Sequence, residues 1–278
     1  MEVVSTIAEL RARVSRQGAI AFVPTMGNLH EGHLELIRRA RGLGDCVVAS
    51  IFVNPLQFGP NEDFDRYPRT LENDSAKLQG LADVVFAPSV SEVYPEQQKV
   101  FVELPSIADE LEGASRPGHF RGMATVVLKL FNMVQPQVVL FGKKDYQQLH
   151  IIRQMVAQLN LPLNIVGINT VRAADGLALS SRNQYLSQVE RNEAVFLYQM
   201  LKEMRQALLQ GEQDVEGLRR QAIKSLSGRG WSVDYVDVRN RSDFLPPGKA
   251  GSDLTQRDWV VLAAARLGNT RLLDNVEI

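Results

Sequence analysis

Cysteine is almost absent from this chain: Cys46 is the only one in 278 residues. A lone thiol excludes an intramolecular disulfide and points to a reducing compartment. It lies in the run Cys46-Val47-Val48-Ala49, which suits a small buried hydrophobe better than a nucleophile. Long apolar runs are missing too, and none approaches the roughly 18 residues that a membrane-spanning helix needs. The first residues scatter Glu2, Glu9, Arg11 and Arg13, unlike a secretory signal. Excess charge of one sign is lacking: the net charge is −1, so no global basic field points to nucleic acid. No internal repeat or low-complexity tract is present. These absences lead to the expectation of a cytoplasmic globular protein with neither a membrane nor a nucleic-acid partner. A chain of this length, 45% hydrophobic and 23% charged, holds one large or two modest domains.

What is present centres on Pro24-Thr25-Met26-Gly27-Asn28-Leu29-His30-Glu31-Gly32-His33. The apolar run Ala19–Val23 feeds it as a strand, and Leu36, Ile37, Ala40 and Leu43 leave it at helical spacing. Two histidines therefore sit at a strand-to-helix turn. The backbone N–H groups of a helix start are expected to be unpaired, and the helix dipole favours negative charge, so this is a phosphate site in waiting. Gly27 and Gly32 let backbone or ligand approach closely.

Along the chain, residues 5–17 read as an amphipathic helix opened by a Thr6–Glu9 capping box. Cys46–Val53 is a continuous apolar run, as for a parallel strand covered on both faces. It ends in Asn54-Pro55-Leu56-Gln57. Asn54 and Gln57 are either neutral ligand-binding groups at the C-terminal end of a strand or simply parts of an Asn-Pro turn. Thr70–Leu81 is a charged helix and Asp83–Ala87 a short strand. Arg116–Gly122 is a basic, glycine-flanked loop that either touches an anion or is merely solvated. Met123–Val134 is an apolar helix and Val138–Phe141 a buried strand.

Gly142-Lys143-Lys144-Asp145-Tyr146-Gln147-Gln148 forms a second strand-to-helix junction. Lys144 suits phosphate, Asp145 suits ribose hydroxyls, and Gln148 falls one turn into a helix that buries Leu149, Ile152, Val156 and Leu159. The plainer alternative is an Asp cap with solvated lysines. Leu163–Ile168 is another strand. Ser180-Ser181-Arg182 combines two hydroxyls with a bidentate guanidinium, a phosphate clamp or an ordinary polar loop. Beyond Asn183 the strand–helix alternation stops. A long helix over Gln188–Leu208, a second carrying Val215 to Leu226, and strands near 233–238, 259–265 and 270–273 read as a small α+β domain. The expected division is 1–174 and 175–278, with a ligand cleft between the two.

H-x-G-H, the lysine–aspartate junction and the Ser-Ser-Arg loop together resemble the adenylate-forming nucleotidyltransferases. The ordered series Thr25–His33, Phe52–Phe58, Arg116–Gly122, Phe141–Gln148 and Asp175–Asn183 runs through nearly the whole chain. It is similar to the pantothenate synthetase (pantoate–β-alanine ligase) family. The resemblance implies an α/β fold: a Rossmann-like parallel sheet forming the nucleotidyltransferase domain, with a smaller C-terminal α+β domain closing over it. It implies a homodimer, ATP with Mg²⁺, and pantoate and β-alanine as substrates. Pantoate would be adenylated first, and β-alanine would then displace AMP. His30, His33, Lys144 and Arg182 are the implied catalytic residues, with His33 donating a proton as charge builds on pyrophosphate. ATP contacts are implied for Met26, Gly27, Asn28, Leu29, His30, Glu31, Gly32 and His33, their backbone N–H groups included. They are also implied for Gly142, Lys143, Lys144, Asp145, Val171, Leu179, Ser180, Ser181 and Arg182. Gln57 and Gln148 would bind pantoate, Gln57 also meeting β-alanine, and Asp74 is the candidate for the metal.

Two departures from the family pattern stand out. Lys143 occupies a place where the family commonly has an acid and is expected to point to solvent. Ala178-Leu179 precede the serines where relatives carry methionine. The competing enzyme is another H-x-G-H adenylyltransferase acting on a different acid or phosphate; the neutral Gln57/Gln148 pair argues against a phosphorylated acceptor. A nucleotide-binding regulatory module would not need His30, His33, Lys144 and Arg182 intact. A tRNA synthetase lacks support, because no anticodon-binding extension is evident. His119 and His150 have no assigned role and read as structural or solvated.

Overall fold

The structure is a computed structural model describing residues 1–60, 62, 64–248 and 258–278. The apolar runs of the first half become strands: β1 (Glu2–Val4), β2 (Ile20–Thr25), β3 (Cys46–Ile51), β4 (Val84–Phe86), β5 (Val138–Gly142) and β6 (Asn164–Ile168). They form one sheet in the order β1-β4-β3-β2-β5-β6, with every neighbouring pair parallel. Parallel strands covered on both faces need apolar side chains at every position. Ala21, Phe22, Val23, Val47, Val48 and Ala49 are accordingly buried. Cys46 is buried among them, and burial raises its thiol pKa, so it packs as a small apolar group.

Helices α1 (Ile7–Val14), α2 (Glu31–Ala40), α3 (Leu71–Leu78), α4 (Val90–Val93), α5 (Glu112–Ser115), α6 (His119–Val134) and α7 (Tyr146–Gln158) connect these strands. The expected Thr6–Glu9 capping box is formed. From β2 the strand order runs one way to β3 and β4, and the other way to β5 and β6. The carboxyl ends of β2 and β5 therefore flank a topological switch point, where open α/β sheets hold ligands. The histidine stretch leaves β2 at that point.

The elements differ from the sequence expectation in several places. β1 is three residues long, too short for periodicity to register. Helix α6 starts at His119, so half of the expected loop Arg116–Gly122 is helical, capped by Gly118 at φ +80°. Helix α7 ends at Gln158, which leaves Leu159 half exposed and buries Met155 in its place. The long helix is interrupted at Ala194, giving α8 (Gln188–Glu193) and α9 (Val195–Leu209).

The described residues form two compact units, Met1–Lys143 with Gln148–Asn169, and Lys144–Gln147 with Thr170–Ile278. In the second, β7 (Ser232–Asn240), β8 (Trp259–Leu267) and β9 (Thr270–Glu277) make an antiparallel sheet in that order. Leu197, Leu201 and Leu208 of α9 and Leu226 of α10 (Val215–Gly228) pack into one core with Val236 and Val261. Lys144–Gln147 belong to this unit because Asn275 Nδ2 donates to the Lys144 carbonyl at 2.7 Å and the Tyr146 hydroxyl donates to Glu277 at 2.9 Å. Among the described residues, no helix is long and apolar enough to cross a membrane.

In the first unit, α6 lies directly on the turn after β3. A Cβ added to Gly122 would stand 1.9 Å from the Leu56 carbonyl oxygen. Gly122→Ala is therefore expected to destabilise the protein by about 1–3 kcal/mol through overpacking. Denaturant unfolding checks this, and an unchanged midpoint would show that the contact does not matter.

Candidate active site

The stretch after β2 is a tight left-handed turn held from outside. Gly27 has φ +83° and Asn28 φ +50°. The carboxylate of Asp74, fully buried in the first turn of α3, accepts from the backbone N–H of Asn28 and of Leu29, both at 2.8 Å. The Thr70 hydroxyl adds a third bond to Asp74 at 3.0 Å. Lys77 Nζ donates to the Leu29 carbonyl at 2.6 Å. Thr25 Oγ1 donates to the Ser50 carbonyl and accepts from Gly27 N–H. Leu29 is buried beneath the turn.

The two histidines cap helix α2 reciprocally. His30 is the N-cap residue, and its Nδ1 accepts from Gly32 N–H at 3.1 Å. His33 Nδ1 accepts from His30 N–H at 3.2 Å. The rings lie 4.0 Å apart, centroid to centroid. In a neutral imidazole only one nitrogen carries hydrogen. A committed Nδ1 acceptor therefore places the proton on Nε2 in both rings, which makes two donors side by side.

This corrects the expectation of unpaired backbone N–H groups. Those of Gly27, Asn28, Leu29, His30 and Gly32 are all satisfied within the protein. Those five groups are therefore turned to the protein, while the two imidazoles each keep an Nε2–H beyond the cap. Glu31 is exposed and ion-paired with Arg38.

At the end of β3, Asn54 is buried and organises Gln57. Asn54 Nδ2 donates to Gln57 Oε1 at 3.1 Å and to the Gly122 carbonyl at 3.2 Å, while its Oδ1 accepts from the Tyr94 hydroxyl at 2.8 Å. Gln57 Nε2 reaches Met26 Sδ at 3.2 Å, joining this turn to the histidine stretch. Asn54 thus orients Gln57, a link that neither its place at the end of the strand nor its place before Pro55 could show. His119 is buried beside it, with Nδ1 2.9 Å from the Gln57 carbonyl and Nε2 3.2 Å from Arg116 Nη1. A carbonyl only accepts and a guanidinium only donates, so the neutral Nδ1–H form satisfies both. Burial, reinforced by the Arg116 charge, lowers the His119 pKa to about 4.

Gly142 ends β5, and Gln148 is half-buried in α7. Lys143, expected in solvent, is instead half-buried, its Cγ lying over Gly167. In the second unit Lys144 Nζ stands 3.7 Å from Asp145 Oδ1. Val171 and Leu179 are joined by a backbone bond at 3.0 Å across a turn through Gly176. Ser180 then caps a short 3₁₀ turn, Ser181–Tyr185, by accepting from Arg182 N–H. Ser180, Ser181 and Arg182 are all half-buried.

No group of three or more His, Cys, Asp or Glu side chains that could hold a metal occurs among the described residues. Asp74, the expected metal candidate, has both oxygens engaged by the turn.

Comparison with known proteins covers the whole chain. The family model described as pantoate-beta-alanine ligase matches residues 2–277. A relative named pantothenate synthetase, from Nitrosospira multiformis, is 55% identical over 280 residues, spanning 100% of this chain and 98% of the relative. A solved pantothenate synthetase from Thermus thermophilus superposes with a TM-score of 0.92 at 48% identity, covering 100% and 99% of the two chains. A pantoate-beta-alanine ligase from Francisella tularensis, complexed with beta-gamma ATP and beta-alanine, gives 0.80 at 34% identity, covering 100% and 97%.

The low pKa of His119 ties stability to pH. Its folded value, about 4, lies below the ordinary 6.5. The unfolded chain therefore takes up the proton first as pH falls. The stabilising contribution is complete above about pH 6.5 and shrinks as pH drops toward 4, with about 2 kcal/mol gone by pH 5. Replacing His119 by Asn is expected to remove that component. Denaturant unfolding of parent and variant at pH 7.5 and 5.0 checks this; parallel losses in both would refute it.

Proposed function

The chain belongs to the pantoate-beta-alanine ligase family, and from that premise we propose that it makes pantothenate by way of a pantoyl adenylate. Pantoate's carboxylate oxygen attacks the α-phosphorus of ATP, the bond to the bridging oxygen breaks, and pyrophosphate leaves. The β-alanine amine then attacks the acyl carbon, loses a proton, and displaces AMP. Activation is needed because a free carboxylate would have to expel an oxide, whereas AMP is a good leaving group.

The observation that supports this best is the reciprocal histidine cap with both Nδ1 atoms committed. Two neighbouring Nε2–H groups suit a phosphoryl group whose negative charge grows at the leaving oxygen. His33 is assigned as the Nε2–H hydrogen-bond donor to the charge that builds on the leaving pyrophosphate, in place of a full proton transfer, and His30 as its companion. Lys144, Ser180, Ser181 and Arg182 are assigned to phosphate charge, Gly142 and Asp145 to the ribose, and Val171 to the adenine edge. Gln57 and Gln148 are assigned to pantoate: neutral amides hold a hydroxyl and a carboxylate without quenching the carboxylate's nucleophilicity. The ATP phosphates would bring Mg²⁺ with them, and the bound ion supplies charge neutralisation. Catalysis on these terms is positioning and electrostatics. The ATP and beta-alanine named for the Francisella relative support both co-substrates. A cytoplasmic homodimer completes the proposal.

With ATP, Mg²⁺ and pantoate alone, about one pyrophosphate per site is expected, followed by turnover to AMP when β-alanine is added. No release under either condition would defeat the proposal. His33→Ala is expected to slow adenylate formation by about a hundredfold or more. Near-normal single-turnover rates would remove that role.

A further inference from the structure

Gln57 is held at both ends. Its side-chain oxygen is taken by Asn54 Nδ2 at 3.1 Å, which fixes which face of the amide carries the N–H donors. Its backbone carbonyl receives two further donors, His119 Nδ1 at 2.9 Å and Arg116 Nη2 at 3.3 Å. Neither residue has a part in the reaction as assigned above, yet both converge on one peptide group. Arg116 is in turn gripped by Glu62, Nε to Oε1 at 2.8 Å and Nη2 to Oε2 at 2.6 Å. Glu112 lies 3.7 Å from the same guanidinium. The Glu62 carboxyl lies below its ordinary pKa: burial alone would raise it, but the bonds and charge of Arg116 prevail.

This arrangement spans three segments: the turn after β3, the segment holding Glu62, and the start of α6. A partly buried ion pair gains little stability, because desolvation offsets most of the attraction. A bidentate guanidinium–carboxylate pair does fix direction, and Arg116 passes that direction on to His119 and to the Gln57 carbonyl. The neutral Nδ1–H form of His119 is the only neutral one that satisfies both neighbours.

We propose that Arg116 and His119 are positioning residues that set the Gln57 amide for pantoate through its backbone carbonyl, and that Glu62 locks them in place. This rests on the assignment of Gln57 to pantoate made above. Neither Arg116 nor His119 touches substrate in this scheme; both act through Gln57.

The test is the split between pantoate and ATP kinetics in His119→Phe, His119→Asn, Gln57→Ala and the Phe/Ala double variant. Phe keeps the ring and loses the donor; Asn keeps an N–H near the Nδ1 position and loses the ring. His119→Phe is expected to raise the pantoate KM by about tenfold, the scale of one buried hydrogen bond, with the ATP KM near that of the parent. His119→Asn is expected to recover most of this. In the Gln57→Ala background, His119→Phe should add nothing further.

A normal Phe variant with an impaired Asn variant would make His119 a packing residue and overturn the proposal. A pantoate shift in Gln57→Ala but none in His119→Phe would also overturn it, while leaving the assignment of Gln57 intact. No pantoate shift in either would remove Gln57 from pantoate, and the proposal with it. Should His119→Phe fail to fold, Glu62→Gln releases Arg116 without entering the core. It is expected to raise the pantoate KM several-fold, and an unchanged value would overturn the proposal.

Discussion

The site in the first unit depends on one carboxylate. Asp74 accepts two consecutive backbone N–H groups from a turn 45 and 46 residues earlier in the chain. Consecutive N–H groups point the same way only where the backbone curls, and here it curls through Gly27 and Asn28 with positive φ. Asparagine tolerates that region better than most residues, but at some cost, so the conformation needs an external hold. A fully buried carboxylate, for its part, is tolerable only with such donors. Turn and acid thus satisfy each other, and with them α3 is fixed to the end of β2. Gly27 is also a spatial requirement, since an added Cβ would meet Asp74 Oδ2 and Ile51 Cγ2 at 3.1 Å.

The N–H groups of Gly27, Asn28, Leu29, His30 and Gly32 are spent within the protein, which sets this turn apart from a glycine-rich phosphate cradle. In such cradles the peptide N–H groups themselves face the anion. Here five of them face inward, and the imidazoles beside them are themselves helix caps. A Ser/Glu capping box would stabilise the helix start equally well. Histidine does so while directing a second nitrogen away from the backbone. The helix start and the pair of Nε2–H donors are thus the same two side chains.

The fold was legible to the extent that its signals were local. The strands β2, β3 and β5 were plain from apolar runs, and the Thr6–Glu9 box from spacing alone. The turns at the ends of β2 and β3 were legible because each follows an apolar run that has to end there. What escaped was non-local. Asp74 sits in an ordinary charged helix, and nothing in its neighbours points to a turn more than forty residues away. The Arg116–Gly122 stretch looked like a loop because Pro117 and Gly118 interrupt it. Gly118 in fact starts a helix, and the close packing of Gly122 against Leu56 is a contact across 66 positions. Leu159 matched the helical period but fell one residue past the end of α7.

Histidine chemistry here is decided by which nitrogen is committed and to what. His30 and His33 give Nδ1 to peptide N–H groups, so the proton goes to Nε2 and toward any anion that approaches. His119 gives Nδ1–H to a peptide carbonyl, so Nε2 becomes an acceptor, and a guanidinium rather than an anion fills that place. Protonating the first pair would preserve an Nε2 donor but sacrifice a cap. Protonating His119 would bury a cation and set it against Arg116; burial first, and that charge second, hold its pKa low. One residue type therefore appears as a pair of donors and as a neutral strut in a single unit. The difference lies in the backbone partner, N–H in one case and C=O in the other, before any ligand is considered.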